Sequence, residues 1–424
     1  MRVVINKNNI YDYLILSLIY LQLVIFEFIG LGRYLTWICC CLIIVRLLTV
    51  RKKLKAGSIG VICIALASLY LLSAVRGNPS SISITKSNLI MQIYPLLYAL
   101  YLSYLAGRKP EIIDTVLKRS FILFNATLLV NYLVLYRQIT VPYSIAAKAT
   151  SAVITYYEDT ISGLFAYAST HVVCLFTIFV ILYNLSYSKS IQRVSKRRLL
   201  FLYTFFIAVI GGVISLYNDN KMFFLLLPLT VFIHWFADPN KKISNRLTQV
   251  IIVLGFLPVI LALLYNLNNG IKVFFDRNFF RLFAKISKSL FLGNTVSGST
   301  ERVAIIVYAL ERPSTWLFGD GVSSAGFYQS GLHGFNHFGQ ASIGSLLILT
   351  GIWYTTLITI LYWKLFKTVA ENKRNHRVSI GIVLLLIVLM IYSQCITRTN
   401  IMTTLLLIML TFRMRQRYIN FEVA

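Results

Sequence analysis

Long apolar runs separated by short polar and basic stretches set the rhythm of this chain. A helix needs roughly 20 apolar residues to cross about 30 Å of hydrocarbon. Runs at 11–29, 34–50, 59–75, 89–106, 120–136, 164–185, 199–217, 221–237, 247–266, 341–363, 378–395 and 400–413 meet or approach that length, the last being short. The pattern predicts an all-α polytopic membrane protein with about 12 transmembrane helices. One connection is far longer than the rest, the loop over residues 267–340. Within it IKVFFDRNFFRLFAKISKSLFLG predicts an amphipathic helix, and RVAIIVYALERP predicts a second helix ending before Pro313. The chain therefore divides into nine spans over 1–266, the partly helical loop 267–340, and three spans with a tail over 341–424. No internal repeat is evident.

Composition agrees. A mean hydropathy of +0.74 with 13% charged residues is too apolar for a soluble domain. The net charge of +27 raises nucleic acid as a partner. Most of the 41 Lys and Arg, however, cluster between apolar runs, where the positive-inside rule accounts for them, so no nucleic acid is expected. Placing both termini in the cytoplasm puts most of these clusters inside and the loop 267–340 outside. The first run is long enough to span and no small-residue cleavage site follows it, which predicts a first transmembrane helix rather than a removable signal. Cys39, Cys40, Cys41, Cys63, Cys174 and Cys395 all lie in apolar runs without metal-ligand spacing, so they are expected to pack, with no disulfide framework and no metal.

Polar positions then carry the chemistry. Arg277, Arg281, Lys285 and Lys288 line one face of the first loop helix, either as a basic rim for an anionic lipid headgroup or as a helix resting on membrane lipid. In SLYNDNKMFFLLL the chain turns tightly between two spans, and Lys221 at a helix start suits an anion such as phosphate, or snorkels beside Asp219. Arg302 follows the turn-like SGSTE and opens the second loop helix, which Arg312 closes. In LFGDG, glycines permit close backbone approach or tight turns. His333 and His337 stand four apart without a third metal ligand, so a general base is the better functional role for either, against a loop histidine of no function. Arg398, in the outer turn TRTN, is a further anion contact. Arg46 lies close enough to the inner end of its run to snorkel.

These residues resemble the O-antigen polymerase (Wzy-type) and O-antigen ligase superfamily of bacterial inner-membrane glycosyltransferases. SLYNDNKMFFLLLPL is similar to the family's span-to-span hairpin, with Lys221 where arginine is usual. SGSTERVAIIVYALERPSTWLFGDGVSS is similar to its pattern of an arginine, a proline and Gly-x-Gly, here Arg302, Pro313, Gly319 and Gly321. A histidine before the span after the large loop is the third match, here His333 or His337; Asn336 precedes His337, whereas the family's histidine is often followed by asparagine.

The resemblance implies a multi-pass protein of the bacterial inner membrane with a periplasmic active site and no cofactor. It implies metal-independent, inverting glycosyl transfer between undecaprenyl-pyrophosphate-linked oligosaccharides, lengthening O-antigen or a related polysaccharide, and leaves a chain-length regulator open as a partner. His337, with His333 as rival, would be the base. Lys221 and Arg302, helped by Arg277, Arg281 or Arg398, would face the pyrophosphate. The ligase that moves glycan to the lipid A core is equally compatible. A lipid-linked oligosaccharide flippase or transporter remains open too, and would be marked by repeat symmetry and broken spans.

Overall fold

The computed structural model describes residues 9–22, 31–50, 58–76, 93–101, 104–105, 108–141, 161–165, 170–188, 191–218, 222–236, 298–324 and 342–370, with 248, 262–263, 265–266, 269–276, 280, 284 and 328. Among them there is no strand. The helices are α1 (Ile10–Leu21), α2 (Gly32–Thr49), α3 (Ser58–Val75), α4 (Pro110–Thr140), α5 (Thr170–Ser188), α6 (Val194–Tyr217), α7 (Met222–Phe236), α8 (Asn269–Phe275), α9 (Gly298–Leu310), α10 (Pro313–Phe318) and α11 (Ser342–Ala370). A helical stretch at 93–101 lies between α3 and α4.

Among the described residues, four segments are long and apolar enough to cross a membrane: Ser58–Val75, Phe121–Thr140, Val194–Tyr217 and Ile343–Leu361. Ile10–Leu21, Tyr34–Thr49 and Thr170–Leu185 are shorter apolar helices. Burial along them runs opposite to that of a water-soluble bundle. On α6 the buried face carries Leu200, Thr204, Ile207, Gly211, Ile214 and Ser215, whereas Phe201, Leu202, Phe205, Phe206 and Val213 face outward. On α4, Asn125, Asn131 and Gln138 are buried while Ile122, Leu133 and Tyr136 are exposed. An apolar exterior around polar interior positions suits a lipid surround, where helices associate through small and hydrogen-bonding residues.

Helical spacing explains the inward faces. On α3, Ile59, Ile62, Cys63, Leu66, Tyr70 and Ser73 recur at steps of three and four and turn toward α11. Central α5 packs against α4, α6 and α7, and nearly every residue from Val172 to Tyr183 is buried. Asn125 and Asn184 exchange amide hydrogen bonds at 2.9 and 3.0 Å between α4 and α5, fixing their register. The predicted packing role holds for Cys39, Cys40, Cys63 and Cys174, which are buried, while Cys41 is exposed.

Two helices start earlier than the apolar pattern suggests. The fifth run, 120–136, is the C-terminal part of a helix that begins at Pro110, where a proline at the first position loses no intrahelical bond. GSTE belongs to the second loop helix rather than to a turn before it: α9 begins at Gly298, one turn ahead of Arg302. That helix ends at Leu310, before Pro313, as predicted, and Pro313 opens the short α10.

Candidate functional site

The Gly319-Asp320-Gly321 segment is built into a break in α11. Helical geometry fails at Gly351, with φ 76° and ψ −177°, nine residues, or about 13 Å, from the start of the helix. The carbonyls of Ile348 and Leu349 instead accept hydrogen bonds from the backbone N–H groups of Asp320 at 2.7 Å and Gly321 at 3.1 Å. Two glycines permit this. A Cβ on Gly319, whose φ is +73°, would lie 2.6 Å from the Leu349 oxygen, and one on Gly351 would lie 2.7 Å from the Leu317 oxygen. The close approach expected of Gly319 is an approach of backbone to backbone, and its partner Gly351 was not singled out by the sequence.

Side chains lock the junction. Ser73 at the end of α3 donates to the Leu349 oxygen at 2.7 Å, and Ser323 donates to the Arg76 carbonyl at 3.1 Å. Arg76 places its guanidinium 5.7 Å above the Phe318 ring and donates to the Phe318 carbonyl at 3.4 Å. The Tyr328 hydroxyl donates to the Asp320 carboxylate. Burial, and then that bond to an acidic partner, push the Tyr328 phenol well above its usual range, so it stays a donor at neutral pH. Tyr328 meets Tyr308 edge-on at 6.2 Å, and Arg312 stacks 4.1 Å above Tyr308.

Beneath this polar layer lies a small apolar cluster of Ile305 and Ala309 from α9, Tyr328, and Leu347 and Ile348 from α11. Contact is tightest at Gly344, where a Cβ would come 2.8 Å from Ile305 and 3.1 Å from the Ile306 backbone. The helix that carries Arg302 thus rests on the first turns of α11.

Of the predicted site residues, only Arg302 lies among the described positions, as part of α9; its side chain does not. His333, His337, Lys221, Arg277, Arg281 and Arg398 fall outside the described residues. His333 and His337 belong to the connection between Tyr328 and α11, and Lys221 immediately precedes α7. Asn218, fully buried at the end of α6, donates to the Ile161 carbonyl at 3.4 Å. The backbone N–H groups of Gly163 and Leu164 donate to Gln138 at 2.9 Å and Asn131 at 2.7 Å.

A second polar centre was missed by reading the sequence. Asp12, fully buried in α1, receives a bidentate pair of bonds from Arg46 at 2.8 and 2.7 Å, one from Lys109 at 2.6 Å and one from Tyr101 at 3.0 Å. Arg46 also stacks 5.7 Å from Tyr11. It does not snorkel: it reaches inward to a carboxylate. The available signal was an acidic residue in the first turn of an apolar helix, which in a membrane demands a partner.

Comparison with family models, with curated proteins and with solved structures finds no match.

Proposed function

We propose that the chain is a bacterial inner-membrane glycosyltransferase that joins undecaprenyl-pyrophosphate-linked oligosaccharide units at the periplasmic face, as a polymerase of O-antigen or a related polysaccharide. Both termini are cytoplasmic and about 12 helices span the bilayer. The observation that carries the reading is the seating of α9, with Arg302 in it, on the head of α11 through Ile305 and Gly344. That is the span into which the histidine-bearing connection runs. An arginine-bearing helix and a histidine-bearing connection that converge on one helix head suit a transfer needing a cation for a departing pyrophosphate and a base for a sugar hydroxyl.

In this mechanism the acceptor hydroxyl attacks the anomeric carbon of the donor from the face opposite its pyrophosphate. A histidine, His337 with His333 as rival, takes the hydroxyl proton. The anomeric C–O bond breaks with inversion, and the pyrophosphate leaves with its electron pair, its charge held by Arg302 and Lys221, with Arg277, Arg281 or Arg398 assisting. No metal is required.

The broken α11 favours a second reading, a transporter of lipid-linked oligosaccharide, because discontinuous spans build transport sites from freed carbonyls. Here the Ile348 and Leu349 carbonyls are occupied by Asp320, Gly321 and Ser73, which weighs against an ion or substrate site in the break.

The test is a strain lacking the gene, complemented with wild type, His333→Ala, His337→Ala, Arg302→Ala or Lys221→Ala, with surface polysaccharide run as a gel ladder and membrane levels checked. Collapse to a single-repeat band at normal protein level is expected. Accumulation of long lipid-linked chains without surface glycan would move the assignment to the ligase. An unchanged ladder in every variant would remove the proposed site.

A further inference from the structure

Arg76 was not among the residues the sequence singled out, yet its surroundings set it apart from an ordinary helix-end arginine. Its backbone N–H continues α3 by bonding the Leu72 carbonyl, and its own carbonyl is held by Ser323. The guanidinium is pinned as well, over the Phe318 ring and against the Phe318 carbonyl. An exposed arginine normally swings freely and forfeits rotamer entropy when it binds. Here Phe318 and Ser323, which flank Gly319-Asp320-Gly321, already hold the guanidinium and the backbone carbonyl of Arg76. The guanidinium carries five N–H donors and the carbonyl takes one, so most of its planar edge stays open to the exterior.

What that edge faces follows from α3. Val61, Ile64, Leu72 and Val75 are exposed at helical steps, with Val75 87% accessible, and Ser68 lies between them. They form an apolar stripe about 21 Å long that ends at Arg76. Across the end of the stripe stands Phe318, 56% accessible. An apolar track ending in a pre-oriented guanidinium complements a lipid with a long hydrocarbon tail and a phosphate head, since arginine grips phosphate through two parallel bonds.

We infer that Arg76 is a phosphate-binding residue for the polyprenyl carrier, with the carrier's tail along the exposed face of α3 and its phosphate on the open edge of the guanidinium. The inference rests on the glycosyltransferase reading, which supplies a polyprenyl-linked substrate. It adds a cation outside the large loop, on the membrane helix against which the loop is docked.

The experiment uses the purified full-length chain in detergent, with undecaprenyl phosphate or phosphatidylglycerol as the probe and native mass spectrometry as the readout. Arg76→Gln and Arg76→Ala are the variants, because glutamine can still donate to the Phe318 carbonyl and so keeps any purely capping role. Wild type is expected to retain undecaprenyl phosphate in preference to phosphatidylglycerol, and both variants to lose about tenfold in retention at unchanged melting temperature. Full retention by Arg76→Gln would overturn the inference and leave Arg76 a cap. Equal retention of both lipids by wild type, lost together in the variants, would overturn the carrier assignment in favour of ordinary phospholipid. A wild type that holds neither lipid would overturn the site outright. Arg76-dependent retention with an unchanged ladder in every histidine variant keeps this site and removes the proposed chemistry. A collapsed ladder with Arg76-independent retention does the reverse.

Discussion

The two polar centres of the molecule are held by opposite means. At Gly319 and Gly351 the decisive groups are backbone amides, and close approach depends on the absence of side chains. At Asp12 the decisive groups are charges, and the geometry depends on long side chains converging on one carboxylate. Shape therefore governs the first centre and charge the second. A substitution that removes a charge is costly at the second centre, and a substitution that adds a methyl group is costly at the first.

The sharpest way to break this contrast is Gly319→Val. Adding a branched side chain at positive φ, with the Leu349 oxygen 2.6 Å from the first added carbon, is expected to cost about 2–6 kcal/mol. It should appear as a large fall in melting temperature of the purified protein or in folded membrane level, and a near-unchanged transition would show that the junction tolerates bulk. Asp12→Ala comes next. It leaves Arg46 and Lys109 without their shared carboxylate at a cost of about 3–5 kcal/mol, read as the same thermal shift, and wild-type stability in this variant would mean the cluster is ornamental. Tyr328→Phe removes one hydroxyl from Asp320 and should cost about 1–2 kcal/mol. The raised phenol means the folded state keeps its proton more tightly, so this contribution is complete at neutral pH and fades only as alkaline pH is reached. The difference from wild type should therefore stay constant across the neutral range, and a difference that varies there would contradict the assignment. Arg46→Lys, which keeps the charge but loses the bidentate fork, is the mildest, at about 0.5–1 kcal/mol; a loss as large as that of Asp12→Ala would show that fork geometry, rather than charge, organises the Asp12 centre.

Much of the helical framework is legible because lipid-facing and packed positions follow the helical period, as on α3 and α6, and because Pro313 marks the end of a helix. The break at Gly351 is not. One glycine in LTGIWYTT reads as a tolerated residue in a continuous span, and only the Gly-Asp-Gly segment some thirty residues earlier gives the interruption its partners. The length of α4 is hidden for a different reason: the basic residues around Arg119 read as an inner connection, although charge is no obstacle to a helix emerging from the bilayer. For the candidate site, the sequence pointed to Arg302, Gly319 and Gly321. It could not show that the glycines serve packing, or that Arg76 would be drawn to Phe318, because both depend on contacts between residues about 30 and 240 positions apart.

The order in which the ribosome makes these pieces has its own importance. Residues 319–321 leave the tunnel before residues 348–351, so the plug is already synthesised when its socket enters the bilayer. The interrupted turn of α11 need never wait in hydrocarbon with bare carbonyls. A circularly permuted chain that places α11 ahead of α10 would reverse that sequence of events and make the same final contacts far harder to reach during insertion.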